Sequence, residues 1–144
     1  MKGYLNNAEA TANAIDADGW LHTGDVGYAD ADGFFFIVDR LKEFIKYKAY
    51  QVAPAELEAP LLTHPAVADA AVIPKADTES GEIPKAFVVK RSEVTAEELM
   101  AWVAERVAPS KKVRVVEFIE KVPKSASGKI LRRELIVAER AKGG

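Results

Sequence analysis

The fold of this chain is decided at residues 39–51, which read Asp39-Arg40-Leu41-Lys42-Glu43-Phe44-Ile45-Lys46-Tyr47-Lys48-Ala49-Tyr50-Gln51. The three lysines do not share one face of either regular element. A helical period of about 3.6 residues pairs Lys42 with Lys46, whereas a strand period of about two pairs Lys46 with Lys48. We therefore predict that the stretch changes conformation partway, as a linker that runs into a hairpin. A solvated basic turn without further function is the alternative.

The composition is typical of an ordinary globular protein. The chain has 144 residues, 49% hydrophobic and 29% charged, with a net charge of −2. This near-neutral charge argues against a duplex-binding surface built on whole-chain charge. The absence of cysteine excludes disulfides and thiolate chemistry and is compatible with a reducing compartment. Because the apolar runs are too short to span a membrane and no signal segment opens the chain, we expect a cytoplasmic protein without a membrane span.

Upstream of residue 39, the sequence predicts a short helix and a β-hairpin. Asn7 can cap a helix over residues 8–15, and an Asp-Gly turn at 30–33 joins an extended segment at 20–28 to a strand at 34–38. Because neither this turn nor the similar one at 16–19 continues into the Gly and distal Glu of a calcium loop, we interpret both as plain turns. The apolar positions are too few for a separate core, so we expect the edge of a larger domain.

Downstream, helices and strands alternate with short connections, which predicts an α+β fold. Pro54 opens a helix that reaches Thr63, and Pro60 inside it should kink or shorten it. Thr95 and Glu98 form a capping box before a helix with an apolar stripe. The remaining predicted elements are strands at 67–73, 86–89 and 113–119, loops at 75–84 and 123–129, and a final helix at 130–141.

Lys129 is the first candidate for chemistry, because it ends a Ser/Gly-rich loop beside a predicted helix. A phosphate-binding P-loop would need Gly at position 123 and Ser or Thr at position 130, but the chain has Pro123 and Ile130. That motif is therefore rejected. A lysine on such a loop can still reach an anion carried by a partner surface. A plain solvent-exposed lysine is the alternative.

Asp25 is the second candidate, since a carboxylate after Thr23-Gly24 can accept two hydrogen bonds from a vicinal diol such as a ribose. A turn residue is the alternative. His22 and His64 show no metal-ligand spacing, and we interpret both as structural. The basic residues towards the C-terminus lack interleaved aromatic residues, so we expect no binding of nucleic acid.

In combination, six motifs of the chain resemble the C-terminal end of adenylate-forming enzymes, most closely the branch that contains 4-coumarate–CoA ligase and luciferase. The resemblance runs from about Gly3 to Leu135. The motifs, in chain order, are Gly3-Tyr4-Leu5-Asn6-Asn7, Asp18-Gly19-Trp20-Leu21-His22-Thr23-Gly24-Asp25, Val38-Asp39-Arg40-Leu41-Lys42, Ile45-Lys46-Tyr47-Lys48, Pro54-Ala55-Glu56-Leu57-Glu58 and Pro123-Lys124-Ser125-Ala126-Ser127-Gly128-Lys129-Ile130-Leu131-Arg132-Arg133.

The resemblance implies a specific domain organisation. Residues 1–39 would be the end of a large N-terminal adenylating domain, most of which is missing here, and residues 40–44 would be a hinge. Residues 45–144 would form the mobile C-terminal domain. Its implied α+β fold has a three-stranded antiparallel sheet flanked by about three helices, plus a two-stranded hairpin.

The resemblance also implies an acid–thiol ligase. A small-molecule carboxylic acid would attack the α-phosphate of ATP to give an acyl-adenylate, and the thiol of coenzyme A would then displace AMP. Mg²⁺ would be bound mainly by the missing N-terminal domain, and the isolated chain is expected to be inactive.

By matching motif, the resemblance assigns catalytic roles to Lys129 and Lys46. Lys129 would bridge the carboxylate and the α-phosphate during adenylation, and Lys46 would face the thiol half-reaction after the small domain has rotated. Asp25, Arg40 and Gln51 would bind the nucleotide together with Lys129. Lys48 and Ala49 would bind coenzyme A together with Lys46, and Lys42 would be the hinge residue.

One departure from the sequence pattern of the family bears on function, and three alternative functions remain. The family usually has Gly where this chain has Ala49, and a positive φ there would cost alanine about 1 kcal/mol. The alternatives are an adenylating enzyme that serves a carrier protein, a luciferase-like oxygenase, and a non-catalytic α+β binding module.

Overall fold

A computed structural model describes residues 1 to 143, apart from the side chains of Val38 and Asp39. Val38 and Asp39 of the third motif are therefore described by their backbone alone, and Gly144, the last residue of the expected second domain, lies outside the described residues. The described helices are α1 (Ala8–Ala14), α2 (Pro54–Leu62), α3 (Ala96–Ala104) and α4 (Arg132–Lys142). The described strands are β1 (Asp25–Ala29), β2 (Phe35–Arg40), β3 (Ile45–Tyr47), β4 (Tyr50–Val52), β5 (Val67–Asp77), β6 (Gly81–Lys90) and β7 (Val115–Phe118).

The described chain divides into two compact units, Met1–Lys42 and a second unit that begins at Glu43. The division falls inside residues 40–44, which the sequence analysis assigned to a hinge. A short 3-10 helix, Leu41–Glu43, crosses the division. The movement of one unit against the other stays a prediction.

The first unit contains α1 and the antiparallel hairpin of β1 and β2. The side chain of Asn7 caps α1 by accepting a hydrogen bond from the backbone nitrogen of Ala10 at 2.9 Å. In the turn between the strands, Asp30 Oδ1 accepts hydrogen bonds from the backbone nitrogens of Asp32 at 3.0 Å and Phe34 at 2.9 Å. An aspartate that bonds backbone two residues on is ordinary turn chemistry.

The second unit is built on a five-stranded sheet of the described residues, in which β4, β3, β6 and β5 lie in that order and β7 also pairs with β6. β5 and β6 form a long hairpin whose register runs from Val67↔Lys90 to Asp77↔Gly81. The predicted polar loop at 75–84 is therefore wrong, since both strands continue into it. An antiparallel ladder tolerates polar residues wherever one of its faces is solvated.

The α+β class is confirmed, but the direction of one strand differs from the expectation. The three strands β5, β6 and β7 were expected to be antiparallel, whereas β7 pairs with β6 in parallel, from Lys85↔Val115 to Val88↔Phe118. The physical reason is the connection. α3 lies between β6 and β7 in the chain, and a crossover through a helix returns the next strand in the same direction.

The two faces of the sheet carry separate apolar clusters. Along β5, Ala70 and Val72 pack with residues of α2 and α3, whereas Ala71 and Ile73 pack with Leu135 of α4. Successive residues of a strand point to opposite faces, so the continuous apolar run of β5 is explained by helices on both sides. In residues 1 to 143, no helix is long and apolar enough to cross a membrane.

Candidate functional site

In the first unit, the structure brings together two of the four residues predicted to bind the nucleotide. Asp25 and Arg40 are direct cross-strand partners of β1 and β2. Arg40 Nε donates to Asp25 Oδ1 at 3.1 Å, and the two side chains are 50% and 30% exposed respectively. An ion pair this exposed contributes little to stability. It does place a carboxylate acceptor beside guanidinium donors, which suits a ligand that carries both hydroxyls and phosphate.

In the second unit, β3 and β4 form the hairpin that the opening stretch predicted. Lys46 and Gln51 are direct cross-strand partners, and the side chains of Lys46 and Lys48 are exposed. Cross-strand partners lie on the same face of a hairpin. Lys46 and Gln51, which the sequence analysis assigned to opposite half-reactions, are therefore neighbours.

The hairpin is held by contacts with β6 and with the turn before it. The backbone nitrogen of Lys46 donates to Glu82 Oε2 at 2.8 Å, and that of Lys48 donates to the carbonyl of Ser80 at 2.9 Å. The guanidinium carbon of Arg114 lies 4.7 Å from the ring centroid of Tyr47, which is a cation–π distance. The exposed Lys46 and Lys48 therefore belong to a hairpin that contacts with the rest of the unit hold in place.

The backbone strain expected at Ala49 falls on Lys48 instead. Among the described residues other than glycine, positive φ occurs at Asn6 and at Lys48, whose φ is 52°. Two-residue hairpin turns need positive φ at the first central residue or at both. Here the first residue alone adopts it, so the alanine in the second position carries no penalty of this kind.

Lys129 ends a turn that is closed by hydrogen bonds. Ser125 accepts from the backbone nitrogens of Gly128 at 2.9 Å and of Lys129 at 3.2 Å, through its carbonyl and its hydroxyl oxygen respectively. Gly128 has a φ of 83°, a conformation that glycine adopts without steric cost. The lysine side chain is exposed. The turn presents one cation to solvent on an ordered backbone.

The helix after this turn begins later than the sequence predicted. Ile130 forms an isolated antiparallel bridge with Lys124, and α4 starts at Arg132 rather than at Ile130. The bridge holds Ile130 in extended conformation, which removes it from the helix. Lys129 therefore lies three residues before the first turn of α4.

Sequence reasoning missed a buried ionic cluster around Arg132. Its Nη2 donates to both carboxylate oxygens of Glu58 at 2.7 Å, and its Nη1 donates to Glu43 Oε2 at 2.8 Å. The side chains of Arg132 and Glu58 are only 13% and 10% exposed. A signal was present, because Glu58 lies between the buried Leu57 and Leu61 in α2. A charged residue in that position needs a partner.

A second ionic cluster attaches the end of α4 to the sheet. Lys85 Nζ donates to Glu117 Oε2 at 2.7 Å and also to Glu139 Oε2, and Lys75 Nζ lies 3.1 Å from Glu139 Oε1. The hydrogen bond from Lys85 lowers the pKa of Glu139 although burial opposes it. Burial works to lower the pKa of Lys85, but its hydrogen bonds to Glu117 and Glu139 raise it overall.

No group of three or more His, Cys, Asp or Glu side chains in the described residues is arranged to hold a metal ion. Glu58 of α2, Glu117 of β7 and Glu139 of α4 are instead engaged with lysines and arginines.

Comparison with known proteins identifies the relatives of the chain. A family model described as the AMP-binding enzyme C-terminal domain matches residues 56–129. The chain is 62% identical to 4-coumarate–CoA ligase 1 from Oryza sativa subsp. japonica over 138 residues, which cover 94% of the chain and 24% of that protein. It is 58% identical to peroxisomal OPC-8:0-CoA ligase 1 from Arabidopsis thaliana over 138 residues, 94% of the chain and 25% of that protein.

A solved structure shows the same fold. The o-succinylbenzoate CoA synthetase (MenE) from Bacillus subtilis, in complex with the acyl-adenylate intermediate OSB-AMP, aligns with a TM-score of 0.82 at 38% sequence identity. The alignment covers 94% of this chain and 28% of that one. The chain thus spans about a quarter of the length of the curated relatives it matches.

Proposed function

The chain belongs to the AMP-binding enzyme C-terminal domain family, and from that premise we propose that it is the C-terminal part of an ATP-dependent ligase that joins a carboxylic acid to coenzyme A. The resemblance to adenylate-forming enzymes seen in the sequence is confirmed. The names of the relatives support the acid–thiol ligase activity. That activity belongs to the whole enzyme, of which the chain supplies one part.

The strongest geometric support is the position of Lys129. Its side chain is exposed on a turn that hydrogen bonds close, so a single cation can be delivered to a defined point on a partner surface. Catalysis at phosphorus depends largely on placing positive charge against developing negative charge. Lys129 would therefore bridge the substrate carboxylate and the α-phosphate of ATP during adenylation.

The nucleotide would be held in part by the first unit. The carboxylate of Asp25 would accept hydrogen bonds from the ribose hydroxyls, and Arg40, which holds that carboxylate at 3.1 Å, would orient it. Gln51 would assist in the adenylating arrangement. Mg²⁺ would enter with ATP and be bound mainly outside this chain, since no group of three or more His, Cys, Asp or Glu side chains in the described residues is arranged to hold a metal ion.

The thiol half-reaction would use the β3–β4 hairpin. Lys46, Lys48 and Ala49 would face coenzyme A after the second unit has rotated about Lys42. The exposure of both lysines on a supported hairpin favours this assignment. Gln51 is the cross-strand neighbour of Lys46 on the same face, so one surface of the hairpin would contribute to both half-reactions in turn.

A large N-terminal domain would be the principal protein partner. Apolar side chains of the first unit are extensively exposed, among them Phe35 at 81%, Trp20 at 73% and Ile37 at 66%. Exposed apolar surface of this extent marks an interface. We therefore propose that residues 1–39 are the edge of the large domain, that 40–44 is the hinge and that 45–144 moves. We propose the cytoplasm as the compartment, although the name of one relative contains the word peroxisomal.

Half-reaction assays test this function. The chain would replace the matching C-terminal quarter of the rice 4-coumarate–CoA ligase 1, and pyrophosphate exchange and thiol transfer from preformed adenylate would be measured separately. Lys129→Ala should reduce exchange by about a hundredfold and leave thiol transfer within about threefold. Lys46→Ala should do the reverse.

The control is Lys121→Ala, which removes an exposed lysine that has no assigned role. It should leave both half-reactions unchanged. Equal loss of both steps in Lys129→Ala and in Lys46→Ala would contradict the proposed division of labour. Transfer of the acyl group to a carrier protein but not to coenzyme A would favour the alternative acceptor. The isolated chain should show no ligation.

A further inference from the structure

Arg132 joins three parts of the second unit that are far apart in the sequence. Its guanidinium contacts Glu43 at the start of the unit, Glu58 in α2 and the carbonyl of Val72 in β5, the last from Nε at 3.3 Å. Glu58 Oε1 also accepts a hydrogen bond from the backbone nitrogen of Val72 at 2.9 Å. The first residue of α4 is therefore fixed to the helix and the strand that form the centre of the unit.

The turn that carries Lys129 is attached directly to this cluster. The backbone nitrogen of Leu131 donates to the carbonyl of Pro123 at 2.9 Å and closes the base of the loop. Arg132 is the next residue. Any displacement of Arg132 therefore moves the base of the loop, and with it the position of the lysine.

The same guanidinium reaches the first residue of the second unit. Glu43 is the first residue of the second unit and follows Lys42 directly. Its carboxylate is 26% exposed and accepts from Arg132 Nη1 at 2.8 Å. One side chain thus connects the boundary of the unit with the base of the Lys129 turn.

We propose that Arg132 is a positioning residue. It fixes the Lys129 turn relative to Glu43, so that the Lys129 side chain is placed accurately at the reacting groups of the adenylation step. This inference rests on the proposed function. A planar guanidinium can donate to two carboxylates at once in fixed geometry, whereas a lysine ammonium is a point charge. A displacement of about 1 Å can cost about a hundredfold in rate when a reacting group must be placed accurately.

The thiol half-reaction should depend less on Arg132. The β3–β4 hairpin that carries Lys46 is held by other contacts, namely the Glu82 carboxylate and the Ser80 carbonyl. Loss of the guanidinium contacts of Arg132 should therefore affect the two half-reactions unequally. A residue with a merely structural role would affect both together.

The test uses the chimaeric enzyme described above with two mild variants, Arg132→Lys and Glu43→Gln. Arg132→Lys keeps the positive charge but loses the planar guanidinium that donates to two carboxylates. Glu43→Gln keeps the shape of the side chain and weakens its contact with Arg132. Each should lower kcat for pyrophosphate exchange at least about tenfold, leave the KM for ATP within about twofold, and leave thiol transfer within about threefold. Arg140→Ala, which removes an exposed arginine from the same helix, should change neither step.

A second readout follows the turn itself. The chain has no cysteine, so Ser127→Cys, at an exposed position of the loop, can carry a single spin label. The label should be more mobile in Arg132→Lys and in Glu43→Gln than in the parent, and unchanged in Arg140→Ala. Circular dichroism and the thermal midpoint verify that each variant is folded.

The outcomes separate this inference from the function on which it rests. If the unmodified chimaera catalyses neither half-reaction, the proposed function fails. If it is active and the folded variants lose both half-reactions equally, or lose neither, the positioning role is overturned. Increased label mobility together with a selective loss of exchange supports it.

Discussion

At the scale of single residues, the turn between β3 and β4 is the clearest case in which structure redirects a sequence inference. The chain has Ala49 where its family usually has Gly, which pointed to strain at that position. The positive φ of 52° belongs to Lys48. The energetic cost of the left-handed conformation therefore falls on a residue proposed to contact coenzyme A. That cost persists because the turn is supported by the Ser80 carbonyl.

Replacement of Lys48 by Gly should stabilise the chain. The left-handed conformation costs a non-glycine residue about 1–2 kcal/mol, and the greater freedom of glycine in the unfolded chain offsets part of the gain. We expect Lys48→Gly to raise the free energy of unfolding by up to about 1 kcal/mol, as measured by urea denaturation. Ala49→Gly is the matched control and should lower it by about 0.5 kcal/mol. A larger gain for Ala49→Gly than for Lys48→Gly would place the strain at Ala49 after all.

At the scale of elements, α4 is attached at both of its ends by buried ions. Arg132 binds Glu43 and Glu58 at its start, and Glu139 binds Lys85 and Lys75 near its end. Between them, Leu135 supplies the buried apolar contact with the sheet. Removing one partner of a buried pair leaves the other charge uncompensated, so each attachment is sensitive to single substitutions.

The Lys85–Glu139 attachment gives stability a defined pH dependence. Glu139 has a pKa below its ordinary 4.5, so its contribution is fully present above pH 4.5 and is lost as the pH falls through the lowered value. Lys85 has a pKa above its ordinary 10.5, so its contribution is present below pH 10.5 and is lost as the pH rises through the raised value. Between these limits the pair should contribute a constant amount.

Glu139→Gln tests that window. The variant should lose about 1.5–3 kcal/mol of unfolding free energy near neutral pH, since a hydrogen bond to a charged group is broken. The difference from the parent should shrink as the pH falls through the lowered pKa of Glu139, because the parent carboxylate is then itself protonated. The exposed Glu120→Gln is the control and should change the unfolding free energy by less than about 0.5 kcal/mol. A difference that does not shrink as the parent carboxylate becomes protonated would contradict the assignment.

At the scale of the whole molecule, the two units differ in how they bury apolar residues. The second unit encloses two apolar clusters on the two faces of its sheet. The first unit leaves large apolar side chains of β2 and its surroundings exposed, and Tyr28 stacks on Phe36 with ring centroids 5.1 Å apart. The second unit therefore has the core of an independent domain, whereas the described side chains of the first unit form no buried apolar cluster.

This difference predicts that the isolated chain associates through its first unit. Phe35 and Ile37 lie two apart on one face of β2 and are 81% and 66% exposed. Phe35→Ser together with Ile37→Ser should reduce concentration-dependent association in sedimentation velocity and reduce the binding of an apolar dye. Leu62→Ser, at a side chain that is 50% exposed in the second unit, is the control and should change neither. Unchanged association in the double variant would locate the interface elsewhere.

The sequence by itself determined the family, the α+β class, most elements and the identity of the candidate residues, because these follow from local patterns and from motifs in a fixed order. Capping residues, Asp-Gly turns and apolar periodicity act within a few positions along the chain. The same locality explains the errors. The ends of β5 and β6 and the start of α4 depend on partners that are distant in the sequence, such as the pairing of Asp77 with Gly81.

Only the tertiary structure decided which residues meet. It paired Asp25 with Arg40 and Lys46 with Gln51, moved the left-handed turn residue to Lys48, and made β7 parallel to β6. It also gathered Glu43, Glu58 and Arg132 from three distant positions into one buried cluster. Burial makes each of these charges dependent on its partner, and the planar guanidinium makes the geometry of the contacts specific. No local sequence pattern predicts these ionic contacts, because the free energy that favours them arises only once the chain has folded around them.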